Sequence, residues 1–438
     1  MTSIAEIYKL FRQYPLISTD TRNIVPGSLF FALKGEKFDA NTFAQQAIKA
    51  GAAYVVIDNP SFKNGEKYIL VDDVLTALQD LARYHRQHLT IPVIGLTGSN
   101  GKTTTKELIN SVLSQRYKTL ATQGNLNNHI GVPLTILSIE PSHEIAVIEM
   151  GANHQKEIEL LSSIARPTHG LITNVGKAHL EGFGGVEGVK KGKGELYDFL
   201  RDSRGVAFVN SDSQDLLTMQ QERGLKNVRF YGTGNPNNSV TGQVVKNTPY
   251  LTLEWENNNS GRSHFVKTQL TGAYNIDNVL AAICIGVYFG LTDDEIDTGV
   301  EGYQPKNNRS QIVKTTTNTL ICDYYNANPS SMAVAIENLG RMDAQKKVMI
   351  LGDMFELGEE SAAEHAAIVQ KAMETPVDER IFIGKYFYEA GVAIAGSGTC
   401  YATAEDALKV FKANPIKNAI ILIKGSRGMA LERLVKLL

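Results

Sequence analysis

A chain of 438 residues, 43% hydrophobic and 21% charged, is long enough for two or three domains and apolar enough for each to bury a core. Its 44 Lys and Arg against 46 Asp and Glu leave a formal net charge of −2, so the overall charge advertises neither nucleic acid nor an anionic membrane as a partner. The 3 cysteines, Cys284, Cys322 and Cys400, stand apart in apolar strings without metal-ligand spacing, which excludes a disulfide scaffold and a zinc ribbon and fits a reducing compartment. The N-terminal segment lacks the apolar core of a signal peptide, and no apolar run is long enough to span a membrane; a soluble, cytoplasmic protein is expected.

The first 90 residues read as a small α/β unit. Apolar runs at 29–33 and 54–57, bounded by turn formers, predict strands. Helical spacing over 42–50 stops at Gly51, and a third strand at 68–71 precedes a helix over 74–88. Pro92 marks a boundary. From there strand and helix alternate, with strands at 93–96, 145–149, 170–174 and 206–209, as in a parallel sheet covered on both faces. Over 240–269 polar and apolar residues alternate around an Asn-rich turn, predicting an antiparallel hairpin; 275–289 returns to a helix. Strands at 319–322, 348–351, 380–383 and 419–423, each followed by helical sequence, predict a second doubly wound unit starting near Ser310. The expectation is therefore α/β in three domains: a small α/β N-terminal domain over 1–90, a central P-loop parallel sheet with helices on both faces over 91–309, and a C-terminal Rossmann-like doubly wound domain over 310–438.

The strongest chemical signal is the run VIGLTGSNGKTTTKEL, an apolar strand, a glycine-rich turn and an amphipathic helix. Gly98, Ser99, Asn100 and Gly101 form a loop whose backbone N–H groups can close around phosphate oxygens. Lys102 can neutralise phosphate charge, Thr103 can ligate Mg²⁺, and Thr104 continues the first helical turn. The usual P-loop pattern wants glycine where Leu96 stands, so this loop begins only at Gly98. Glu149 ends an apolar strand of the same sheet, a position that suits either a carboxylate metal ligand or a surface residue at a strand end.

TGSNGKTT resembles the variant P-loop of the Mur ligase family and its folylpolyglutamate synthase relatives. Other segments resemble the same family in the same order along nearly the whole chain: STDTRNIVPGSLFFALKGEKFDA, GNLNNHIGVPLT, EMGANH, TNVGKAHLEGFG, GVKKGKGE, GAYNIDNVLAA, DYYNANPSSM, LGDMFELG and KGSRGM. The resemblance implies an ATP-dependent ligase that makes an amide through an acyl phosphate. GNLNN, YNANP and GDMFELG point to UDP-N-acetylmuramoyl-tripeptide and D-alanyl-D-alanine as the substrates, with a monomer as the default state. A sibling reading adds the third, diamino-acid residue instead, but its Asn-Pro-Arg-type loop is absent. A reading from another class is a P-loop module whose nucleotide state switches a partner interaction.

The resemblance also assigns roles. Glu149 becomes a Mg²⁺ ligand and His179 the ligand of a second Mg²⁺. Lys193, with Lys191 as the alternative, becomes a lysine carbamylated by CO₂ that serves the second metal; by itself the charged, glycine-containing run reads as a solvated loop or helix start. Asn125, Asn127 and Asn128 become contacts to the nascent peptide or its carboxylate, where plain turn formation is the other reading. His129 stands where the family pattern continues with Glu. Asp20, Thr21 and Arg22 resemble the uridine-nucleotide site. Asn275 resembles an adenine contact, with Tyr274 in place of the family's His; Asn275 and Asn278 also suit helix capping. Arg309, Asp323 and Asn326 resemble nucleotide contacts, Asn328 lies beside them, and Lys424, Ser426 and Arg427 are candidates for gripping an anionic group.

Overall fold

The computed structural model describes residues 2–247 and 249–438. Its first sheet is wholly parallel, in the order Ile17–Ser18, Leu29–Phe31, Tyr54–Ile57 and Tyr68–Leu70. Ile17–Ser18 and the small hairpin Lys34–Gly35 with Phe38–Asp39 were not expected, because two-residue strands carry no periodicity to read. The helix Val74–Gln87 starts where the Asp73 side chain accepts from the Thr76 N–H. Its Leu78 and Leu81 join Ile7 and Phe11 of the helix Ile4–Gln13 in a buried cluster that continues through Val132, Ile136, Leu161 and Ile164 of the next unit. The N-terminal unit has its own sheet, but it shares its core with its neighbour.

The central sheet has nine strands, in the order Arg262–Lys267, Thr252–Asn257, Val240–Lys246, Val228–Gly232, Val206–Asn210, His169–Ile172, Val93–Thr97, Ile145–Glu149 and Thr119–Ala121. All pairings from Val240–Lys246 to Thr119–Ala121 are parallel. Val93–Thr97 and Ile145–Glu149 are buried at every position, which accounts for their unbroken apolar runs. Alternate residues serve opposite faces. Ile94 and Leu96 pack with Leu108, Val112, Leu280 and Ile283, whereas Val93 packs with Ile148, Ile164 and Leu200. The chain leaves Val93–Thr97 for strands on both sides of it, so the crevice of a doubly wound sheet opens at its carboxyl end. The expected hairpin is a three-stranded antiparallel meander, Val240–Lys246, Thr252–Asn257 and Arg262–Lys267, with Trp255 buried on its inner face.

The third sheet has six strands, in the order Gln311–Lys314, Thr319–Asp323, Ile420–Lys424, Lys347–Gly352, Glu379–Ile383 and Thr399–Tyr401. All pairings are parallel except the antiparallel edge strand Gln311–Lys314. Its two buried clusters contain only residues of this unit. Among the described residues no helix is long and apolar enough to cross a membrane.

Candidate active site

The carboxyl ends of the central strands, the hinge and the facing edge of the C-terminal sheet enclose a cavity of about 910 Å³. The P-loop forms its floor. Gly98 and Gly101 have φ of +148° and +77°, and a Cβ on Gly98 would stand 2.0 Å from Thr173 Oγ1, so this turn needs glycine at both places. The loop is propped from beneath: Thr173 Oγ1 donates to the Asn100 carbonyl at 2.6 Å, and Asn174 Oδ1 accepts from the Asn100 N–H at 3.0 Å. The helix Lys102–Leu113 begins at Gly101 with no side-chain cap, leaving its first N–H groups facing the cavity as an anion site. Lys102 folds back over the loop and donates to the carbonyls of Gly98 and Ser99 at 2.6 and 3.2 Å. Removal from water pulls its amine down to about 8, against the opposing pull of the Glu149 carboxylate.

Glu149 is only 1% exposed and has no salt-bridge partner among the described residues. Its two oxygens accept from Thr103 Oγ1 and Asn127 Nδ2, each at 2.9 Å. Its hydrogen bonds come only from neutral donors, and the Lys102 amine that feels its charge makes no bond to it, so a cation bound directly to the carboxylate would offset the cost of burial. A carboxylate beside a hydroxyl is also a hard-oxygen donor set, so Thr103 and Glu149 fit a divalent magnesium.

Lys193 is 1% exposed, inside the helix Val186–Ser203 rather than in a solvated loop. Its amine donates to the Ala152 carbonyl at 3.1 Å and lies 4.9 Å over the Phe183 ring. Burial, then repulsion from Lys102, pushes this amine well below the ordinary lysine value. Lys191 is exposed, and Lys190 is paired with Glu187 and Asp215 at 3.0 and 2.9 Å. His179 lines the cavity, with Nδ1 hydrogen-bonded to Glu356 of the C-terminal unit.

Asn125, Asn127, Asn128 and His129 also line the cavity. Asn128 Oδ1 accepts from the N–H groups of Ile130 and Gly131, which commits that atom to starting the next helix. Tyr274 and Asn275 line the hinge side, as does Asn278. The capping expected of Asn275 and Asn278 is not what they do. Asn275 Nδ2 donates to the Thr271 carbonyl, Asn278 Nδ2 donates to Asn275 Oδ1, and Thr105 donates to Asn278 Oδ1, tying this helix to the P-loop helix. Arg309 stacks on Tyr325 at 3.8 Å, and its buried Nε has no partner among the described residues.

On the C-terminal side the cavity meets Asp323, Asn326, Asn328 and Lys424. Asn328 caps its own helix through Ser331 and reaches across to Asn100 Oδ1 at 2.8 Å. Lys424, a candidate for gripping an anion, lines the cavity paired with Asp323 at 2.5 Å. Ser426 accepts from the Phe355 N–H, and Arg427 sits 5.5 Å over Tyr325; neither lines the cavity. Asp20, Thr21 and Arg22 stay on the N-terminal unit outside the cavity, with Arg22 held bidentately by Asp20. Asn174, Tyr325 and Glu356 line the cavity without having been singled out. All three lie inside quoted motifs, Asn174 in TNVGKAHLEGFG, Tyr325 in DYYNANPSSM and Glu356 in LGDMFELG, which was the one available signal.

Residues 13–86, 96–286 and 308–427 match the families described as "Mur ligase family, catalytic domain", "Mur ligase middle domain" and "Mur ligase, glutamate ligase domain". A UDP-N-acetylmuramoyl-tripeptide–D-alanyl-D-alanine ligase of Escherichia coli (strain K12) is 38% identical over 425 residues, covering 96% of this chain and 93% of that protein. The crystal structure of MurF from Acinetobacter baumannii is 32% identical with a TM-score of 0.87, covering 96% of this chain and 92% of that one. The MurF ligase of Thermotoga maritima in complex with ADP is 26% identical with a TM-score of 0.83, covering 100% and 98%.

Proposed function

The chain belongs to the Mur ligase family, and from that premise and the geometry of its cavity we propose that it joins D-alanyl-D-alanine to UDP-N-acetylmuramoyl-tripeptide with ATP as the energy source. This is a step of peptidoglycan precursor synthesis that releases ADP and phosphate. The observation that carries the reading is a single cavity in which the uncapped helix behind the P-loop faces the buried Glu149 and the hinge arginine Arg309.

An amide cannot form directly from a carboxylate and an amine at neutral pH, because oxide is a poor leaving group. The tripeptide carboxylate therefore attacks the γ-phosphorus and ADP leaves. The dipeptide amine then attacks the acyl phosphate carbonyl, and inorganic phosphate departs with one former carboxylate oxygen. The first step brings like charges together, so the protein's part is positioning and neutralisation. Lys102 swings from its carbonyls onto the phosphates, and the P-loop N–H groups hold them. Thr103 and Glu149 would hold one magnesium ion, and His179 with Lys193 would serve a second; bound there, the ions would supply further charge neutralisation. Lys193 would take up CO₂ as a carbamate: its lowered basicity favours the neutral, nucleophilic amine, which adds to CO₂ with loss of a proton to solvent, and the product is an anion suited to a divalent cation.

Asn275 and Tyr274 hold adenine while Arg309 and Asn326 meet the nucleotide. Asn125, Asn127 and Asn128 border the peptide, and Asp20, Thr21 and Arg22 border the uridine nucleotide. Domains over 1–90, 91–309 and 310–438, a monomeric state and a cytoplasmic location complete the reading. The test is phosphate release with each substrate omitted in turn. Release should require both the nucleotide-linked tripeptide and the dipeptide, and Lys102→Ala should lower it about 10²–10³-fold with an unchanged circular-dichroism spectrum. ATP turnover indifferent to both substrates would identify a nucleotide switch instead.

A further inference from the structure

Among the described residues Glu356 is the one carboxylate that the C-terminal unit presents directly to a side chain assigned above to the metal site. It belongs to LGDMFELG, a segment whose function the reaction so far leaves open. The base of that segment is fixed. Asp353, 3% exposed, accepts from the N–H groups of Tyr386 and Phe387 at the start of the helix Lys385–Ala393, and its own carbonyl accepts from the Ser426 N–H. Ser426 Oγ in turn accepts from the Phe355 N–H at 2.9 Å. The next residue, Glu356, has φ of +63°, and its partner His179 has φ of +53°. Left-handed backbone is unfavourable for a non-glycine residue, and for glutamate there is no local side-chain compensation. Two such residues, from different sheet units, meet at one hydrogen bond between His179 Nδ1 and a Glu356 carboxylate oxygen. The packing has therefore kept an unfavourable conformation on both sides of the cleft at the point of contact.

A carboxylate can only accept, so the shared proton resides on Nδ1 of the ring. In the neutral imidazole this makes Nε2 the lone-pair nitrogen, and Nε2 has no hydrogen-bond partner among the described residues. We propose that Glu356 is a positioning residue for His179: it fixes the tautomer and ring orientation, so that docking of the C-terminal unit presents Nε2 to the divalent cation. This rests on the reading of His179 as a metal ligand. The device couples two events. The cation site is complete only when the C-terminal unit, which carries the YNANP loop, is in place, and an open enzyme holds the second cation weakly.

The test uses the full chain with Mn²⁺ as the probe, counted by electron paramagnetic resonance in the presence of ADP, together with ¹⁵N spectra of imidazole-labelled protein. Glu356→Ala should weaken one Mn²⁺ site about 10–100-fold and release the His179 ring from its single tautomer. Glu356→Gln, whose carbonyl oxygen still accepts from Nδ1–H, should keep the tautomer and recover most of the affinity. Glu356→Gly, which relieves the left-handed backbone, should unfold at a temperature no lower than wild type while binding Mn²⁺ as weakly as the alanine variant. Unchanged Mn²⁺ affinity and tautomer in Glu356→Ala would overturn the proposal, as would a Gln variant as impaired as the Ala variant. A wild-type protein that shows the tautomer and the Mn²⁺ site but makes no amide would leave this positioning intact and sink the ligase reading instead.

Discussion

The two junctions of this molecule are built from opposite materials. Where the N-terminal unit meets the central one, Leu78 and Leu81 enter a buried cluster that runs on through Ile136 and Leu161. Polar groups there are buried and satisfied as well. Arg86 donates to the carbonyls of Ala165, Leu89 and Arg166 at 3.0, 2.8 and 3.2 Å, and His85 Nε2 meets the Ile139 carbonyl at 3.1 Å. Where the central unit meets the C-terminal one, the contacts are polar: Asn328 with Asn100, Lys177 with Glu364, the Lys177 N–H with Ser330 and His179 with Glu356. Water can replace polar contacts at little net cost, whereas it cannot replace an apolar core. One junction is made to hold and the other to part. That asymmetry suits a reaction that must admit three substrates and then exclude water from an acyl phosphate.

The largest effect should come from the first junction. Leu81→Ala empties part of the shared core and should cost about 2–5 kcal/mol in denaturant unfolding. Both units should lose stability together; an N-terminal unit that melts alone would show that the core is not shared. Arg86→Ala leaves three carbonyls short of a donor and should cost about 1–3 kcal/mol by the same measurement. At the second junction, Lys177→Glu should change stability by no more than about 1 kcal/mol. It should nevertheless weaken closure, raising KM for the dipeptide and enlarging the radius of gyration of the substrate-bound enzyme. The double variant Lys177→Glu, Glu364→Lys should restore both. A charge reversal that destabilises the fold as much as Leu81→Ala would erase the distinction between the junctions.

The smallest effect is a dependence on pH at the first junction. Burial holds the His85 imidazole below its ordinary value of 6.5, so the folded protein keeps it neutral while the unfolded chain takes up a proton. Its stabilising contribution is complete above pH 6.5 and declines as pH falls from there toward the folded-state value. The melting temperature should therefore drop more steeply between pH 6.5 and 5 in the wild type than in His85→Gln. Parallel profiles would mean that His85 is not held neutral.

What could be read from the residues was what is written locally. The strand Val93–Thr97, the turn at Gly98 and Gly101 and the position of Glu149 follow from apolar runs, glycine spacing and parallel-sheet geometry. The strand Val228–Gly232 escaped notice because it is short, only partly buried and does not alternate cleanly. The pairing of Lys424 with Asp323 joins residues 101 positions apart through neighbouring parallel strands, and no local pattern announces it. Nor does a charge run disclose that Lys193 points inward among Ala152 and Phe183 while Lys191 points out. The shared core at the first junction was hidden because each helix face looks the same whichever unit covers it.

The central claim, that the cavity activates a carboxylate by phosphorylation and passes it to an amine, is tested most directly by isotope transfer. The nucleotide-linked tripeptide, labelled with ¹⁸O in its terminal carboxylate, is incubated with ATP, magnesium, bicarbonate and D-alanyl-D-alanine, and both products are weighed by mass spectrometry. The account predicts an amide that has gained the dipeptide and retains one ¹⁸O, with the other ¹⁸O in the inorganic phosphate. Unlabelled phosphate, whether or not ATP is consumed, would contradict it.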